Sequence, residues 1–442
     1  MSDGKPVAVI GAGIAGLTAA SYLRRNGVPV VLFEAGAQIA GMAASYKSPD
    51  GFSYDFGAHF ITNRLAAAIG VGAQCRVVRH YGEAVLMKGR SYGYPFGLLK
   101  VPRFVSSAVA TRLTRGRSDA ASSSAREWFQ SMYGAALADE VALPLLEAWS
   151  GVPAHQLSAA VGEKLNHRIF YTVFLKAMSH WSGLAVSNGY CQEMRENPSV
   201  WHVYPEGGVA FLCERLAADL TDVIERESPV ETIHVDSGKV LALRVKGRDR
   251  VVSAVVSTAP CPLLARMVSG SDALAPMRRF RYRPAVVVNL RFDCRGMLPD
   301  TVLWTPEPSF PFFRLTETPL SMPWLAPPGK TLITADLGCE VGDAVWNMDE
   351  EALGETCLAS ITAIYPEARR FYLGCRVLKT PIAYPVYLRD YEPDRQRFES
   401  GTGIDGLYSI GRNGAFAHIL MEDIYWRTLK TCREIVSRQS EP

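Results

Sequence analysis

The stretch VAVIGAGIAGLTAASYLRRNGVPVVLFE at residues 7–34 decides the fold of this chain. It opens with a short apolar run rich in β-branched residues, and the glycine pattern G-x-G-x-x-G follows at Gly11, Gly13 and Gly16. Apolar residues then recur at helical spacing, and a second apolar run ends at Glu34. The pattern predicts a strand, a tight turn, a helix and a second strand.

Each glycine of this motif has a physical reason. Gly11 permits a sharp turn out of the strand, Gly13 lets the backbone approach a pyrophosphate, and Gly16 allows the helix to pack closely on the strand. The helix N-terminus presents free N–H groups to phosphates, and Glu34 is placed to accept hydrogen bonds from a ribose diol. A glycine-rich turn that binds nothing is the alternative. The flanking strands and the terminal acid favour a dinucleotide site.

Composition bounds the class of protein. The chain has 442 residues, of which 48% are hydrophobic and 21% are charged, as in an ordinary globular protein. This length predicts two or three domain-sized units. The formal net charge of +3 is too small to indicate nucleic-acid binding, and there is no Lys/Arg-rich run typical of such sites. We therefore expect no nucleic-acid partner.

The cysteines and histidines indicate neither disulfides nor a metal. Nine cysteines are scattered without a C-x-x-C pair, which predicts free thiols in a reducing cytoplasm. The eight histidines lack metal-binding spacing, so no metal site is predicted. Glycines and the pair Arg24 and Arg25 interrupt the apolar start. We therefore predict neither a signal peptide nor a transmembrane segment.

Two further segments show a family resemblance. QIAGMAAS at 38–45 and GFSYDFGAHFI at 51–61, together with the opening unit, resemble the FAD-binding end of the amine oxidase and protoporphyrinogen oxidase superfamily. In that family a pair of glycines and a basic residue contact the FAD phosphates. Here Gly41 matches, Ala40 stands where a glycine is usual, and Met42 stands where the basic residue is usual.

The segment GLYSIGRNGAFAHILMED at 406–423 closes the resemblance. It predicts a strand, a turn at Gly411 and a terminal helix that begins near Met421. In similar flavoproteins the residue after this glycine is an acid that binds FAD. Arg412 takes its place here, as in the UDP-galactopyranose mutase-like members of the superfamily.

The N-terminus of the terminal helix is expected to face the flavin. Its dipole would stabilise the negative charge that develops on the flavin ring upon reduction. Glu422 and Asp423 follow Met421 directly, and we expect them to be ordinary acids of the first helical turn.

The resemblance implies a set of site residues. It implies an FAD site formed by Gly11, Gly13, Ala15, Gly16, Glu34, Ala35, Gly41, Met42, Gly57, Ala58, His59, Val230, Gly411, Arg412 and Met421. His59 and Tyr204 are the catalytic candidates because of their expected position beside the flavin. A histidine that is simply satisfied in the core is the alternative for His59. Arg314, Tyr384 and Tyr387 are the candidates for substrate binding.

Two basic regions allow alternative interpretations. Residues 88–117 contain seven basic residues and no acidic one, interleaved with aromatic residues. Such a segment can hold an anionic substrate or contact a membrane surface, and a solvated loop and helix is the alternative. The second region is an arginine cluster at Arg278, Arg279, Arg281 and Arg283. Arginine forks suit phosphate or carboxylate recognition, although most arginines lie on protein surfaces.

These observations predict an α/β fold. A Rossmann-like FAD-binding domain of the glutathione-reductase type is expected at 1–87, 200–272 and 400–442. A mixed α+β substrate-binding domain is inserted at 88–199 and 273–399. Its segment 127–158 resembles the helical substrate cap of the mutase-like group.

The predicted function is an FAD-dependent oxidoreductase of a biosynthetic pathway. It would move hydride from a C–N, C–O or C–C bond of a small-molecule substrate, anionic or nucleotide-linked, to flavin N5. The alternative is a redox-neutral, flavin-dependent sugar-nucleotide isomerase like UDP-galactopyranose mutase. A flavin-binding protein without catalysis is a third interpretation.

Overall fold

A five-stranded parallel sheet, here called the cofactor sheet, forms the centre of the chain. The computed structural model describes residues 4–57, 59–114, 124–162 and 169–440. In spatial order the cofactor sheet contains the strands Ile224–Glu225, Val30–Phe33, Val7–Ile10, Ala254–Ser257 and Leu407–Ser409. Its strands come from three separate parts of the chain.

The first strand is buried on both faces because helices and a second sheet cover it. Val7 and Val9 belong to the core that contains the helices Ile14–Arg25 and Met421–Ser440. Ala8, which lies between them, faces the opposite core. Successive side chains of a strand point to opposite faces, so an uninterrupted apolar run is what a doubly covered strand requires.

Smaller sheets surround the cofactor sheet. A four-stranded sheet contains Arg248–Val251, Lys239–Val245, Val230–Asp236 and Val268–Ser269 in spatial order. A two-stranded sheet pairs Ser45–Lys47 with Ser53–Asp55, and a three-stranded sheet contains Ile61–Thr62, His202–Pro205 and Cys75–Val77. These small sheets carry His202, Tyr204 and Asp55 to the edge of the cofactor unit.

A seven-stranded mixed sheet forms the substrate unit. In spatial order it contains Tyr372–Pro385, Tyr282–Phe292, Thr331–Gly338, Arg314–Glu317, Val302–Trp304, Glu83–Met87 and Arg90–Gly93. The strand Glu83–Met87 pairs in parallel with Val302–Trp304. The predicted boundary after residue 87 is therefore corrected, because this strand belongs to the substrate sheet. The rest of the predicted domain division stays a prediction.

Helices cover both units. The longer ones are Pro102–Thr114, Ala125–Tyr133, Leu143–Ser150, Ile169–Ser182, Ala210–Ala217, Glu350–Ile364, Glu392–Glu399 and Met421–Ser440. The shorter ones are Asn63–Ile69, Phe96–Leu99, Ala135–Leu137, Cys261–Met267, Thr318–Ser321, Ala344–Asn347, Ala368–Phe371 and Gly411–Gly414. Within the described residues, no helix is both long and apolar enough to cross a membrane.

The predicted helical cap begins at a local sequence signal. The Ser124 side chain accepts a hydrogen bond from the Glu127 N–H, and the Glu127 carboxylate accepts one from the Ser124 N–H. This capping box satisfies two N–H groups that the first helical turn leaves unpaired. Trp128 and Phe129 of the same helix are buried in the core that also covers one face of the cofactor sheet. The cap and the cofactor unit therefore share apolar packing.

Candidate active site

The glycine motif forms a tight loop that has no room for larger residues at two positions. Gly11 has a φ of +95°, and an added Cβ would lie 2.2 Å from Thr258 Oγ1. A Cβ at Gly16 would lie 1.8 Å from the Gly11 carbonyl oxygen. In the described chain, no side chain caps the helix Ile14–Arg25 and its first turn holds no acid. Its N-terminus therefore suits an anionic ligand.

Glu34 lies at the opening of this loop. Its two carboxylate oxygens accept hydrogen bonds from the N–H groups of Ala12 and Gly36, each at 2.7 Å. The Glu34 carbonyl accepts a hydrogen bond from the Ser228 N–H at 2.8 Å, which brings the segment before Val230 alongside. Ala35 is exposed next to it. This corner brings together the residues expected at the adenosine end of FAD.

The glycine pair that the family carries after the second strand reads Ala40-Gly41 in this chain, but the backbone still makes the same turn. Ala40 has a φ of +83°, a left-handed conformation that glycine adopts easily and alanine adopts at a cost. The Ala40 N–H donates to the Ala12 carbonyl at 2.9 Å, which ties this turn to the glycine loop. Gly41 lies beside Gly13, and the Met42 side chain is 38% exposed. The turn thus stays in place, and Met42 offers no cation to a phosphate.

The closing segment meets the same loop. Gly411 has a φ of +78°, and a Cβ added there would lie 2.9 Å from the Ala15 Cβ. The terminal helix begins at Met421, as predicted. Ala58 lies outside the described residues. Gly57 has a φ of +98°, and a Cβ added there would contact no heavy atom within 4 Å among the described residues, so this strand end is open.

Glu422 and Asp423 are not the ordinary first-turn acids that we expected. Both are 3% exposed. The Glu422 carboxylate accepts hydrogen bonds from Thr62 Oγ1 at 2.8 Å and from Arg64 Nε at 2.6 Å. Asp423 Oδ1 accepts from the N–H of Gln192 at 2.8 Å. The sequence could not indicate this because the partners lie more than 200 residues away.

The two catalytic candidates share a buried carboxylate. The Tyr204 hydroxyl donates to Asp55 Oδ2 at 2.8 Å, and Tyr204 is 1% exposed. The Ser45 hydroxyl donates to the other Asp55 oxygen at 2.5 Å. Burial raises the pKa of Asp55 to about 6 despite these hydrogen bonds. Because its hydroxyl is bonded inside the protein, Tyr204 has the placement of a positioning residue, which does not support its catalytic assignment.

His59 faces the substrate side. Its Nδ1 lies 3.9 Å from Asp55 Oδ2 and, among the described residues, has no hydrogen-bond partner. Burial lowers the pKa of His59 to about 4, and the charges of Arg314 and Arg412 lower it further. The imidazole is therefore neutral near pH 7. A buried, unbonded ring nitrogen next to an open strand end is consistent with a ligand at this position.

Arg412, which the resemblance places at the FAD, is half-buried and lies beside Tyr384; we call the surroundings of these two side chains the candidate substrate pocket. Its Nη1 donates to the Ile419 carbonyl at 3.0 Å and its Nη2 to the Ala383 carbonyl at 3.1 Å. The guanidinium carbon lies 5.5 Å from the centre of the Tyr384 ring. It forms no ion pair in the part of the chain that the structure describes. Burial lowers the pKa of this guanidinium, which remains a cation because free arginine titrates far above pH 7.

Aromatic rings extend this pocket. The Tyr384 ring centre lies 5.3 Å from that of Trp149, 5.4 Å from that of His418 and 6.4 Å from that of Phe313. The Tyr384 hydroxyl has no hydrogen-bond partner within the described ranges, and burial raises its pKa. Tyr387 accepts a hydrogen bond from the His418 N–H at 2.8 Å. Tyr384 thus faces the pocket, and Tyr387 positions the loop behind it.

Arg314 is paired. Its Nε donates to Asp336 Oδ2 at 2.7 Å, and this carboxylate, which is 2% exposed as a residue, raises the pKa of Arg314 against the effect of burial. The sequence reasoning missed Asp336, Trp149 and His418 as members of this site. Asp336 interrupts the apolar strand Thr331–Gly338, and a charged residue within such a strand is a usable signal.

The arginine cluster at residues 278–283 does not form an anion site. Arg279 pairs with Asp394 at 2.8 Å, and Arg281 and Arg283 both pair with Glu340. Arg278 donates to the Ala265 carbonyl at 3.3 Å. Their charges are therefore used between elements of the fold. In the described residues, no group of three or more His, Cys, Asp or Glu side chains is arranged to hold a metal.

These features fit FAD. The tight glycine loop, the helix without a capping side chain and the unbonded His59 Nδ1 near the unobstructed Gly57 are the features that an FAD site requires. The family model for flavin containing amine oxidoreductases matches residues 14–423. The chain therefore belongs to this family, and FAD is its cofactor.

Solved structures with the same fold include several flavoenzymes. A reduced UDP-galactopyranose mutase is 18% identical with a TM-score of 0.78, covering 99% of this chain and 96% of that chain. A provisionally named protoporphyrinogen oxidase from Exiguobacterium sp. 255-15 is 19% identical with a TM-score of 0.73, over 99% and 100%. Wild-type putrescine oxidase bound to putrescine is 15% identical with a TM-score of 0.67, over 98% and 99%. At these identities the likeness concerns the fold.

Proposed function

We propose that the protein is an FAD-dependent oxidoreductase that removes hydride from a C–H bond of a saturated C–N, C–O or C–C unit, in a small substrate that carries an anionic group. The single bond of that unit becomes a double bond as a second hydrogen leaves as a proton to solvent. The observation that carries the proposal is Arg412, a half-buried cation directly after Gly411 that forms no ion pair in the described chain. A buried charge is costly unless an opposite charge or hydrogen bonds compensate it. An anionic substrate would supply that charge.

The electrostatics of the pocket disfavour a protonated amine. Asp336 neutralises Arg314, and His59 is neutral near pH 7, so Arg412 leaves the pocket with a positive charge. A cationic substrate would be repelled, whereas a carboxylate or phosphate would be held by the guanidinium fork. The proposed substrate therefore need not be an amine, although the family is named for amine oxidoreductases.

The protein residues bind and orient the reactants in this proposal. Flavin chemistry supplies the hydride acceptor at N5. The glycine loop holds the diphosphate, and Glu34 holds the adenosine ribose. Arg412 fixes the anionic end of the substrate, and the rings of Tyr384 and Trp149 exclude water around its apolar part. His59 presents a neutral imidazole, and Tyr204 holds Asp55, which ends the strand Ser53–Asp55 four residues before His59.

The test is anaerobic reduction of the FAD-bound protein by a substrate panel. We expect carboxylate- or phosphate-bearing alcohols, amines and saturated acids to bleach the oxidised flavin band, and we expect Arg412→Met to slow this step. Arg389→Met changes an exposed arginine and serves as the matched control. Reduction by simple cationic amines alone, at equal rates in wild type and Arg412→Met, would contradict the proposal.

A redox-neutral sugar-nucleotide isomerase is the second candidate. The half-buried Arg412 next to the Tyr384 and Trp149 rings also suits a diphosphate linked to a flat base and a sugar. Turnover of a nucleotide sugar only after chemical reduction of the flavin would support this candidate, and turnover with oxidised flavin would exclude it. Absence of any turnover with either panel would leave the protein as a non-catalytic flavin carrier.

A further inference from the structure

We propose that the helix Pro102–Thr114 and the groove beside it form a docking surface for an anionic lipid membrane. This surface, here called the basic helix face, lies outside the candidate active site and does not depend on the proposed function. It consists of an exposed apolar stripe on the helix and of basic residues around it, most of which have no carboxylate partner in the described chain.

Three large aliphatic side chains of this helix face solvent. Val105 is 41% exposed, Val109 is 53% exposed and Leu113 is 82% exposed. They are spaced four residues apart, so at 100° per residue they fall within an arc of about 80° on one side of the helix. Phe104 lies on the opposite side and is buried. The helix is thus attached through one face and presents apolar residues on the other.

The preceding turn extends the apolar stripe. Phe96 and Leu99 belong to the short helix Phe96–Leu99 and are 47% and 54% exposed. Scattered exposed apolar residues are common on protein surfaces and need no explanation. Five of them on two consecutive helices form a patch that favours contact with an apolar phase.

The charged residues within this segment are all basic, while two carboxylates of other elements, Glu140 and Glu307, lie next to Arg103 and to the Lys88 backbone. Residues 88–114 contain five basic side chains, all exposed, and no acidic one: Lys88, Arg90, Lys100, Arg103 and Arg112. Helical geometry places Arg112 and Arg103 on the two sides of the apolar arc. Arg103 pairs with Glu140 from a neighbouring element, so four of the five cations are left without a carboxylate in the described chain.

A groove beside the helix completes the surface. It has a volume of about 360 Å³ and is lined by Met87, Lys88, Arg90, Tyr92, Val101 and Arg103. The combination of basic side chains with an aromatic ring suits a lipid phosphate at the level of the head groups. An amphipathic helix with cations beside an apolar face lies in the plane of a membrane interface. Charge complementarity therefore identifies an anionic bilayer as the occupant.

The experiment is co-sedimentation of the FAD-bound protein with lipid vesicles. One set contains phosphatidylcholine alone, and the other contains about 30% phosphatidylglycerol, both at about 0.1 M salt. We expect binding to the anionic vesicles, weaker binding to the neutral ones and release at high salt. Lys100→Gln combined with Arg112→Gln should weaken binding about 25-fold, since each basic residue near such a surface contributes about fivefold.

The apolar stripe is tested separately. Val109→Asp should weaken binding about tenfold or more, because an apolar side chain no longer enters the interface. Val251→Asp is the matched control, since Val251 is 57% exposed on a strand of the four-stranded sheet. The Lys100 and Arg112 variant alters no packing and keeps the test valid if Val109→Asp unfolds.

Three results would overturn the proposal. The first is absence of wild-type binding to anionic vesicles at low salt. The second is equal loss of binding in Val251→Asp. The third is a concentration-dependent dimer, measured by analytical ultracentrifugation, that Val109→Asp dissociates while vesicles bind neither form. That last result would assign the basic helix face to a second copy of the chain.

Discussion

Arg412 combines partial burial with a charge that no carboxylate in the described chain neutralises. Its two hydrogen bonds go to the carbonyls of Ile419 and Ala383, which are weaker partners than carboxylates. Among the described charged residues around the pocket, Arg412 is the one whose charge the protein does not neutralise. A bound anion would neutralise it. The substrate proposal therefore depends on this side chain.

The resemblance places Arg412 at the FAD, whereas we propose that it binds the substrate, so replacing it should remove anion binding and leave the FAD content unchanged. We expect Arg412→Met to lower kcat/KM for an anionic substrate by about 10- to 150-fold, the value of a charged hydrogen bond of about 1.5–3 kcal/mol. Steady-state kinetics measure this effect, and the absorbance ratio of flavin to protein measures FAD content. A fall in kcat/KM that only follows FAD loss would contradict a substrate role.

His202 makes a prediction about pH. It is 1% exposed, both ring nitrogens lack a partner in the described residues, and burial lowers its pKa to about 3. The unfolded chain thus binds more protons than the folded protein between about pH 6.5 and 3, so stability attributable to His202 is lost as pH falls. His59 acts in the same direction. Asp55, with its raised pKa, acts in the opposite direction.

His202→Phe isolates the contribution of this ring. The substitution keeps an aromatic ring beside Tyr190, whose ring centre lies 4.3 Å away. We expect the slope of unfolding free energy against pH to fall by about 1.4 kcal/mol per pH unit between pH 6 and 4. Urea unfolding at several pH values measures it, and pH 7.5 serves as the internal reference. An unchanged slope would contradict the account.

At the scale of elements, the glycine loop depends on close approach. Gly11→Ala places a methyl group near Thr258 Oγ1, which donates to the Ile10 carbonyl at 2.8 Å, and forces alanine into a left-handed φ. We expect loss of most bound FAD and about 1–3 kcal/mol of stability. Flavin absorbance and thermal unfolding measure both. Gly72→Ala, where an added Cβ meets no heavy atom within 4 Å in the described chain, should change neither.

The terminal helix is held at its first turn. Glu422→Gln removes the charge that accepts from Arg64 Nε and Thr62 Oγ1, so we expect a loss of about 1.5–3 kcal/mol in urea unfolding. Glu434→Gln changes an exposed acid of the same helix and should stay within about 0.5 kcal/mol. Equal effects of the two substitutions would show that the first-turn contacts contribute nothing.

The two ends of the cofactor unit were predictable because their signals are local. The run before Gly11, the helical spacing after Gly16 and the turn at Gly411 each lie within one short segment. Contacts between distant segments were not predictable. Examples are the pairing of Arg314 with Asp336 and the burial of Glu422. Their partners are brought together by the sheets and leave no spacing pattern in the sequence.

At the scale of the molecule, three chain segments build one sheet, and the family assignment covers residues 14–423. The pocket was only partly predictable, since Arg412 and Tyr384 were named as site residues, whereas Trp149 and His418 lie in the matched segments 127–158 and 406–423 without a role that the sequence could assign. The sequence departs from the family motif at Ala40 and Met42. The motif alone could not show that Ala40 keeps the turn that a glycine usually makes. The cofactor thus follows from the fold, and the proposed substrate class follows from the pocket's charge.

The most direct measurement is titration of the FAD-bound protein with benzoate and, separately, with benzylamine, while the visible flavin spectrum is recorded. The two probes share a flat ring that suits Trp149 and Tyr384, and they differ in the sign of their charge near pH 7. We predict that benzoate shifts the flavin band with saturation, that Arg412→Met abolishes this shift, and that benzylamine has no effect. A saturable shift or reduction of the flavin by benzylamine, with none by benzoate, would contradict the account.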